Sequence, residues 1–538
     1  MDLKNNQLNN SNLAQTMKSI TSAFNEVEMC LKCSAKRNFN VHEMFFFAAK
    51  SVLYPLGVLY ARSTQELTPR YKEALRRVFA LLDTDKDGAW SDDELRTFQD
   101  KCFNAVLEQD DVDEIKKLIQ GSVTNGLTPN GYIAPEGFFY LHKLFIMQGK
   151  LETAWAVLRK FGYGDDLKLL DSFVNPAVEV SEDQTVELSS DGYKFFTKLF
   201  KQHDRDQDGA LSPAELKALF QTSPGMPPSW KDFPQSNVHC NSAGNVTLQG
   251  FLSMWSMTTL LDYQTTLRYL AYLGFEGKVE KTEAANTGSP QSPYHMAMNS
   301  NNNTTQAITV TRGRKADIKK RKIARNVFRC FVFGSPKCGK TSFLNAFIGK
   351  PFSENYTHTT EDRSVVNAVY FRDLKNSKQE EEKYLVMQEF ANDQQALNKA
   401  SLAKCDLICL LYDTTNSQSF EYVVNIQKKL VQEDIDIPCL YFATKADQTP
   451  VKQNVSVDEY FKGSQPPLSI SVKKITHEEE DIFKYDLIQQ IIESSENGGS
   501  WGWTVGLGLG VTALFVGGLV WWRYSAAFGG HHGRASKY

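Results

Sequence analysis

Two twelve-residue segments of this chain repeat a pattern of acidic residues that restricts both the local fold and the ligand. The first is DTDKDGAWSDDE at residues 83–94, and the second is DRDQDGALSPAE at residues 204–215. Each has Asp at positions 1, 3 and 5, Gly at position 6 and Glu at position 12. Because Ca²⁺ takes six to eight oxygen ligands, a loop with this spacing folds around the ion between two helices. The two segments therefore predict helix–loop–helix calcium sites.

The expected calcium ligands are the three aspartates, the carbonyl at position 7 and both carboxylate oxygens of the final glutamate. They are Asp83, Asp85, Asp87, Ala89 and Glu94 in the first loop, and Asp204, Asp206, Asp208, Ala210 and Glu215 in the second. The glycine at position 6 permits a sharp turn that a side chain would oppose. The ligand charge is compatible with the affinity of a calcium sensor or of a buffer, and these alternatives stay open.

Each predicted calcium loop is followed by a related segment that keeps the turn glycine. These segments are GYIAPEGF at residues 131–138 and GNVTLQGF at residues 244–251. Both have Gly at position 12, which removes the bidentate carboxylate, so we predict metal-free partner hands. Paired hands share a short strand contact at position 8, which here joins Trp90 with Ile133 and Leu211 with Val246. The two-hand unit repeats after 121 residues, as expected for an internal duplication.

A phosphate-binding motif lies in the second half of the chain. The apolar run Val327–Phe333 leads into GSPKCGKT at residues 334–341, which matches G-x-x-x-x-G-K-[ST] between a strand and a helix. Backbone N–H groups of this loop cradle phosphate, the lysine contacts the β- and γ-phosphates, and the threonine hydroxyl holds Mg²⁺. The nucleotide-binding residues predicted here are Gly334, Ser335, Pro336, Lys337, Cys338, Gly339, Lys340, Thr341 (also the magnesium ligand) and Ser342.

The segments after this loop predict an α/β domain with a mainly parallel sheet. Strands are expected at 364–371, 383–389, 407–412 and 438–443, and helices at 420–432 and 481–493. The last strand leads into TKAD, residues 444–447, which resembles the guanine-reading motif of small GTPases. The resemblance makes Asp447 the acceptor for guanine N–H groups, with Thr444 and Lys445 in support. A strand-end turn is the alternative interpretation.

The sequence differs from a Ras-like site at the positions that control hydrolysis. Such a site has D-x-x-G after its third strand and a nearby Gln that orients the attacking water. Here Glu389 occupies the Asp position, no Gly follows at the right spacing, and Gln394 and Gln395 lie too far along the chain. The switch threonine is ambiguous among Thr357, Thr359 and Thr360. We therefore assign no catalytic residue and expect slow hydrolysis or a largely structural nucleotide.

The two ends of the chain and its basic run carry separate signals. Residues 501–522, WGWTVGLGLGVTALFVGGLVWW, carry no charge and have the length and terminal tryptophans of a membrane span. We expect a C-terminal tail anchor with the bulk in the cytosol; a buried core helix is the alternative. The beginning lacks a secretory signal. The run 312–329 is read as a solvated linker, with a nuclear or lipid-facing address as alternatives.

Composition excludes some functional classes. Lys and Arg number 60 against 63 Asp and Glu, and the net charge of −3 gives no indication of a nucleic-acid partner. Nine scattered cysteines indicate a reducing compartment.

Near the beginning, Cys33-Ser34-Ala35-Lys36 resembles the last guanine-contacting loop of a Ras-like domain, with a strand before it and a helix over 41–53. No phosphate loop precedes it, so we expect no nucleotide there; a redox or metal site at Cys30 and Cys33 is the alternative.

The order of these parts resembles the mitochondrial Rho GTPase (Miro) family. The expected fold class is multidomain, α/β plus all-α, with a P-loop Ras-like GTPase domain, two tandem EF-hand pairs and one C-terminal transmembrane helix. The expected domains are a Ras-like remnant (1–60), hand pair 1 (61–170), hand pair 2 (171–280), a polar and basic linker (281–321), the GTPase domain (322–495) and the anchor (501–522).

The resemblance implies a GTPase that uses GTP/GDP, magnesium and calcium. It further implies a tail-anchored protein of the mitochondrial outer membrane that acts in mitochondrial distribution, morphology and homeostasis with cytosolic motor-adaptor proteins. Most of the family's first GTPase domain is missing here, so functions of that domain are not expected. The alternatives are a calcium-responsive membrane adaptor with a structural nucleotide and a tail-anchored calcium buffer. The endoplasmic reticulum is the alternative membrane.

Overall fold

The computed structural model describes residues 10–474, except 25–26, 28, 231, 278–302, 314–316, 318, 320–324, 373–379, 434–436 and 463–465. The described residues form two compact units. The first unit comprises residues up to 179, 188–230 and 245–309, and the second comprises 180–187, 232–244 and 310–474. The predicted helix at 481–493 and the predicted span at 501–522 lie outside the described residues.

The α-helices, numbered in chain order, are α1 (Asn10–Ala23), α2 (Val41–Leu53), α3 (Pro69–Leu82), α4 (Asp92–Phe103), α5 (Gln109–Gln120), α6 (Pro135–Met147), α7 (Leu151–Lys160), α8 (Asp171–Val174), α9 (Ser190–His203), α10 (Pro213–Leu219), α11 (Leu248–Leu261), α12 (Tyr263–Leu273), α13 (Lys340–Phe347), α14 (Asp393–Ala396), α15 (Lys399–Leu402), α16 (Ser419–Gln432) and α17 (Val457–Tyr460). Short 3₁₀ helices occupy Phe220–Thr222, Asn303–Ala307 and Val472–Lys474. In the described part of the chain, none of these helices is long and apolar enough to cross a bilayer.

The strands are β1 (Tyr60–Ala61), β2 (Glu66–Leu67), β3 (Val186–Leu188), β4 (Ala210–Leu211), β5 (Val246–Thr247), β6 (Ile308–Val310), β7 (Val327–Gly334), β8 (Arg363–Arg372), β9 (Glu380–Glu389), β10 (Leu407–Asp413), β11 (Cys439–Thr444) and β12 (Leu468–Ile470). The strands expected from sequence at 364–371, 383–389, 407–412 and 438–443 are confirmed as β8, β9, β10 and β11, with ends that differ by at most a few residues.

The first hand pair folds around an aromatic core. Trp90 is fully buried and stacks on Phe79 of α3 with ring centroids 4.7 Å apart, while Phe138 of α6 lies 4.6 Å from Trp90. Trp90 and Ile133 exchange two backbone hydrogen bonds of 2.8 and 2.9 Å. The contact expected at position 8 is therefore confirmed, and it joins the calcium loop to its metal-free partner.

The second hand pair repeats this arrangement. Phe196 of α9 stacks on Trp255 of α11 at 4.3 Å, and both side chains are fully buried. Leu211 in β4 pairs with Val246 in β5, which confirms the second expected contact at position 8. The helix after each calcium loop starts with a capping box, because Glu94 and Glu215 each lie three residues after a capping serine.

The second unit is built on a six-stranded sheet with the order β12-β11-β10-β7-β9-β8. Only the β8–β9 pair is antiparallel, so the prediction of a mainly parallel sheet is confirmed. Every residue of β10 is buried, as expected for a central parallel strand covered on both faces. This topology places the carboxyl ends of β7, β9, β10 and β11 along one edge, where ligands of open α/β sheets bind.

The outer strand β8 is covered by a segment that precedes it by more than a hundred residues. Val366 donates its backbone N–H to the carbonyl of Asn237, and the Asn237 amide donates to the carbonyl of Ser364. The Arg363 guanidinium donates to the carbonyl of Ser236. Residues 232–244, which the sequence places in the second hand pair, thus satisfy backbone groups that an open sheet edge would leave unpaired.

Arg325, in the basic run 312–329, is not a solvated linker residue. Its side chain is buried and pairs with Asp406 at 2.8 Å and with Asp317 at 3.6 Å. Burial opposes the charge, but the two carboxylates outweigh it and raise the pKa of Arg325. The expectation of solvation was wrong here because β7 begins at Val327 and draws the preceding arginine against the end of the sheet.

Near the beginning of the chain, α2 occupies the predicted helix. The run before it was expected to be a strand, but its described residues, 27 and 29–33, form none. A strand needs a neighbouring strand to satisfy its backbone groups, and Ser34 here pairs with Phe39 in a local bridge. No described side chain of α2 is buried, and Phe45 and Phe46 are mostly exposed.

Candidate calcium and nucleotide sites

The first acidic loop brings its three aspartates together. Carboxylate oxygens of Asp83, Asp85 and Asp87 all lie within 4.8 Å of one another. Gly88 has φ +88° and donates its N–H to Asp83 Oδ2 at 3.1 Å. The Ala89 N–H donates to Asp87 Oδ1 at 2.8 Å. The loop therefore has the turn that the sequence predicts at position 6, with its carboxylates directed inward.

The second loop has the same geometry. Carboxylate oxygens of Asp204, Asp206 and Asp208 lie within 4.8 Å of one another. Gly209 has φ +82° and donates to Asp204 Oδ2 at 3.1 Å, and Ala210 donates to Asp208 Oδ1 at 2.7 Å. Two loops separated by 121 residues thus form the same cluster of carboxylates.

The donor set fits a divalent cation. Asp83 Oδ1 and Asp204 Oδ1 are buried and have no hydrogen-bond partner among the described residues. Burial raises the pKa of Asp83 to about 6, and the neighbouring Glu94 and Asp85 add to the effect. A buried carboxylate oxygen without a donor is costly unless a cation satisfies it. The residues predicted as ligands therefore suit Ca²⁺, the hard cation that prefers clustered carboxylates.

The glutamates at position 12 are held close to their loops by hydrogen bonds. Glu94 Oε1 accepts from the Thr84 hydroxyl at 2.8 Å, and Oε2 accepts from the N–H and hydroxyl of Ser91 at 2.9 Å. Burial alone would raise the pKa of Glu94, but these hydrogen bonds outweigh it and lower the pKa. Glu215 is held in the same way by Ser212 and by the Arg205 N–H. Both carboxylates are thus ionised and positioned beside the aspartates.

The partner hands keep the turn without the ligands. Gly131 and Gly244, at position 6, have φ +77° and +81°. At position 12, a Cβ on Gly137 would lie 2.3 Å from the carbonyl oxygen of Gly126. No side chain fits there without a shift of the backbone. The first partner hand therefore cannot gain a carboxylate at this position by simple substitution.

The two calcium loops lie next to each other in the first unit. The Gln202 amide donates to the Thr84 carbonyl at 3.0 Å, and the Arg205 guanidinium donates to the Lys86 carbonyl at 3.0 Å. A shared cavity lined by Asp85, Asp87, Asp204 and their neighbours lies between the loops. No local sequence pattern predicts this proximity, because the contacts join residues about 120 positions apart.

The phosphate-binding loop has the predicted strand–loop–helix setting, between β7 and α13. Gly339 has φ +99°, and a Cβ on Gly334 would lie 2.5 Å from the Leu411 carbonyl oxygen, so both glycines are required by the backbone. Ser335 and Cys338 are buried, whereas Pro336 and Lys337 are exposed. Lys340 donates from Nζ to the Gly334 carbonyl at 2.7 Å. Thr341 and Ser342 follow in the first turn of α13.

A magnesium-type cluster lies at the carboxyl end of β9. The hydroxyls of Thr341 and Thr359 donate to Glu389 Oε1 at 2.9 and 3.1 Å, and these hydroxyl oxygens are 3.2 Å apart. Glu389 Oε2 is buried without a hydrogen-bond partner among the described residues. Burial raises the pKa of Glu389, although Thr341 and Lys340 oppose the shift. This oxygen set fits Mg²⁺, and among the three candidate threonines only Thr359 makes the contact.

The TKAD segment lies beside the phosphate-binding loop. Thr444 is buried, and its hydroxyl donates to the Cys338 carbonyl at 2.7 Å, which ties the two motifs together. Lys445 pairs with the Asp413 carboxylate. Asp447 is exposed and its Oδ1 accepts from the Ser471 hydroxyl at 2.7 Å. The predicted guanine-contacting residues are thus held at the carboxyl ends of β10, β11 and β12.

Ser471 is a site residue that the sequence reasoning missed. It opens Ser471-Val472-Lys473 directly after β12, and its hydroxyl reaches Asp447. The available signal was its likeness to the S-A-K segment recognised at residues 34–36. That signal is short, and the pairing of β12 with β11 is what places Ser471 beside Asp447.

Asp393 is the second residue that was missed. Counting from Glu389, Asn392 stands at the glycine position of D-x-x-G and Asp393 follows it. Asp393 is buried, and its Oδ2 lies 3.9 Å from Lys340 Nζ. Gln394 is exposed and instead accepts from Lys429 on α16. The carboxylate, not a glutamine, therefore faces the phosphate-binding lysine.

Four protein-family models match five segments of the chain. A Ras family model matches residues 329–465. An EF hand model matches residues 75–99 and 197–220, which contain the two acidic loops. Two EF hand associated models match residues 105–192 and 230–322, which contain the metal-free partner hands. The matched order agrees with the order of motifs in the sequence.

Several fungal and plant proteins are similar over most of the chain. A protein of Cryptococcus neoformans is 37% identical over 88% of this chain and 71% of its own length. Relatives from Neurospora crassa and Arabidopsis thaliana are 38% and 35% identical over 87% of this chain, and over 72% and 68% of their own lengths. Each of the three carries the name Mitochondrial Rho GTPase 1.

Proposed function

The chain belongs to the mitochondrial Rho GTPase family, and we propose from this premise that it is a calcium-binding GTPase of the mitochondrial outer membrane. Its Ras-family domain is the GTPase, and its EF hands supply the calcium input. We further propose that residues 501–522 form the tail anchor and that the protein acts in mitochondrial distribution, morphology and homeostasis.

The observation that carries the GTPase assignment is the convergence of three segments at one end of the sheet. Lys340 and Thr341 come from the phosphate-binding loop, Thr359 comes from the segment before β8, and Glu389 ends β9. Their hydroxyl and carboxylate oxygens lie within hydrogen-bond distance of one another. Such an assembly is needed to hold a nucleotide phosphate together with its metal ion.

Each residue of this site has a defined task. Backbone N–H groups at the start of α13 bind phosphate, and the Lys340 ammonium balances its charge. Thr341, Thr359 and Glu389 would hold Mg²⁺, which supplies charge neutralisation at the β- and γ-phosphate oxygens when bound. Asp447, oriented by Ser471, would accept the guanine N–H groups and so select GTP and GDP over adenine nucleotides.

Calcium is proposed as a separate input to the same chain. The two loops have matching carboxylate clusters with buried, unsatisfied oxygens among the described residues. Their proximity means that two ions would bring four positive charges close together. Calorimetric titration of the full chain measures the affinity and number of sites. Affinity in the micromolar range supports a sensor, whereas nanomolar sites also saturated by Mg²⁺ support a buffer.

Nucleotide binding and hydrolysis can be tested on the full chain purified in detergent. We expect the wild-type chain to bind GDP and to hydrolyse GTP in single-turnover measurements. Lys340→Ala should abolish both, because the ammonium that balances the phosphate charge is lost. Lys428→Ala is the matched control, since Lys428 is an exposed lysine on α16, outside the phosphate-binding loop. Equal activity of the two variants would contradict the assignment of the site.

A second candidate function is a calcium-responsive membrane adaptor with a structural nucleotide. It is favoured by Asn392 and Asp393, which replace the glycine and the glutamine of a hydrolysing Ras-like site. In this case the chain binds GDP and retains it without turnover of GTP. Hydrolysis by the wild type that is lost in Lys340→Ala would reject this alternative.

Membrane attachment and partners are proposed from the family resemblance and the sequence of residues 501–522. We expect a fluorescent fusion of residues 495–538 to localise to mitochondria. Localisation to the endoplasmic reticulum would overturn the choice of membrane. Cytosolic motor-adaptor proteins are the proposed partners, and they should co-purify with the full chain in a manner that depends on calcium.

A further inference from the structure

A buried carboxylate lies beside the phosphate-binding lysine and has no role in the proposed function. Asp393 opens α14, immediately after β9 and the magnesium-type cluster at its end. Its Oδ2 lies 3.9 Å from Lys340 Nζ and accepts a hydrogen bond of 2.9 Å from the Tyr422 hydroxyl. Both Asp393 and Lys340 are largely shielded from solvent.

A terminal phosphate that contacts Lys340 would lie next to this carboxylate, because Asp393 Oδ2 is 3.9 Å from Lys340 Nζ. The backbone of the loop after β7 cradles the inner phosphates. A γ-phosphate extends from there toward Lys340 and toward the metal ligands Thr359 and Glu389, because the ion bridges β- and γ-oxygens. Asp393 follows Glu389 by four residues in the chain, and its carboxylate and the metal-type cluster at Glu389 both lie near Lys340.

The charges at this position favour one nucleotide over the other. With a diphosphate, Lys340 can keep its ion pair with Asp393 while it contacts the β-phosphate. A triphosphate brings further negative charge within reach of the same ammonium, next to a buried carboxylate. Like charges in a site shielded from water repel strongly. Burial raises the pKa of Asp393, whereas Lys340 and the hydrogen bond from Tyr422 oppose the shift and favour the charged carboxylate.

We propose that Asp393 is a specificity-determining residue that makes this site prefer GDP over GTP. The proposal rests on the proposed function, because it assumes that Lys340 contacts the phosphates of a guanine nucleotide. The diphosphate leaves the ion pair between Asp393 and Lys340 in place, whereas the triphosphate has to displace it. The resting form of the domain is then the GDP complex.

The test compares the dissociation constants of fluorescent GDP and of a non-hydrolysable fluorescent GTP analogue on the detergent-solubilised full chain. We expect the wild type to bind the GTP analogue at least about tenfold more weakly than GDP, a factor that corresponds to about 1.4 kcal/mol. Asp393→Asn, which keeps the shape and removes the charge, should lower this ratio about tenfold with little change in GDP affinity.

Two matched variants separate local charge from other effects. Asp393→Glu keeps the charge and should retain the wild-type ratio. Glu421→Gln removes a charge from an exposed residue next to Tyr422 on α16, and it should also leave the ratio unchanged. A purely structural role of Asp393 would weaken both nucleotides alike and would leave the ratio at its wild-type value.

The outcomes distinguish this proposal from the proposed function. If the wild type binds neither nucleotide, the guanine-nucleotide site itself is wrong. If the wild type binds both nucleotides equally, the site stands and the role of Asp393 is refuted, even if Asp393→Asn does not fold. An unchanged ratio in folded Asp393→Asn refutes the role as well.

Discussion

The buried histidine of the first hand pair gives a quantitative prediction about pH and stability. His142 of α6 is completely buried, with its Nδ1 2.7 Å from the Tyr71 hydroxyl and its ring 4.7 Å from that of Phe138. Burial lowers the pKa of His142 to about 3. The imidazole is therefore neutral in the folded protein throughout the physiological range.

The sign and size of the effect follow from proton linkage. In the unfolded chain His142 has a pKa near 6.5, so below this pH the unfolded state binds a proton that the folded state does not. The stabilisation from the neutral buried ring is complete above about pH 6.5 and decreases as the pH falls toward 3. Between pH 7.5 and 5.0 the loss is about 2 kcal/mol.

Hydrogen exchange of the full chain, read in peptides from α3 and α6, measures this loss locally. After correction for intrinsic exchange rates, we expect the protection of the wild type relative to that of His142→Asn to fall about 30-fold between pH 7.5 and 5.0, the factor equivalent to about 2 kcal/mol. His142→Asn has no imidazole to titrate, so its protection should be lower at pH 7.5 and should lack the loss that His142 causes toward pH 5.0.

A second histidine provides the control for this prediction. His42→Asn changes an exposed histidine and should retain the wild-type pH dependence. Asp83 acts in the opposite direction, because its raised pKa adds stability as the pH falls through about 6. Because Asp83 is present in both the wild type and His142→Asn, its contribution cancels when the pH dependences of the two proteins are compared. An equal pH dependence in wild type and His142→Asn would refute the assignment.

Three further perturbations test the sites and the buried ion pair. Glu94→Gln should remove calcium binding at the first loop while the second remains, so the calorimetric stoichiometry falls from two ions to one. Thr359→Ala should weaken the magnesium dependence of GTP-analogue binding, measured by titration with the metal, whereas Thr357→Ala, at an exposed position, should not. Arg325→Met should destabilise the second unit by about 3–5 kcal/mol in chemical denaturation, because it leaves buried carboxylates unpaired. Adding Asp406→Asn should recover part of the loss, and no recovery would contradict the ion pair.

The predictions that the structure confirms concern residues close together in the chain. The calcium loops could be predicted because their ligands lie within twelve consecutive residues. The glycine at position 6 is equally informative, because the turn there needs a positive φ. The phosphate-binding loop is equally local, and its strand and helix agree with the expectation. The pairing of Trp90 with Ile133 was also predictable, since paired hands repeat a fixed register.

The predictions that failed or stayed open concern residues whose partners are distant in the chain. Arg325 was predicted to be solvated because its sequence neighbours are basic. It instead forms a buried ion pair with Asp406, which lies 81 positions away in the chain. The switch threonine could not be chosen among three candidates, because only its contact with Glu389 separates them.

The sequence by itself determined which ligands this chain is equipped to bind. Metal and phosphate ligation require particular atoms at short, fixed spacing, and such spacing is written in consecutive residues. The tertiary structure alone decided how these local sites are assembled: the proximity of the two calcium loops, the support of Asp447 by Ser471, and the position of Asp393 beside Lys340. These contacts arise from packing and strand order, and so they join residues that no local pattern connects.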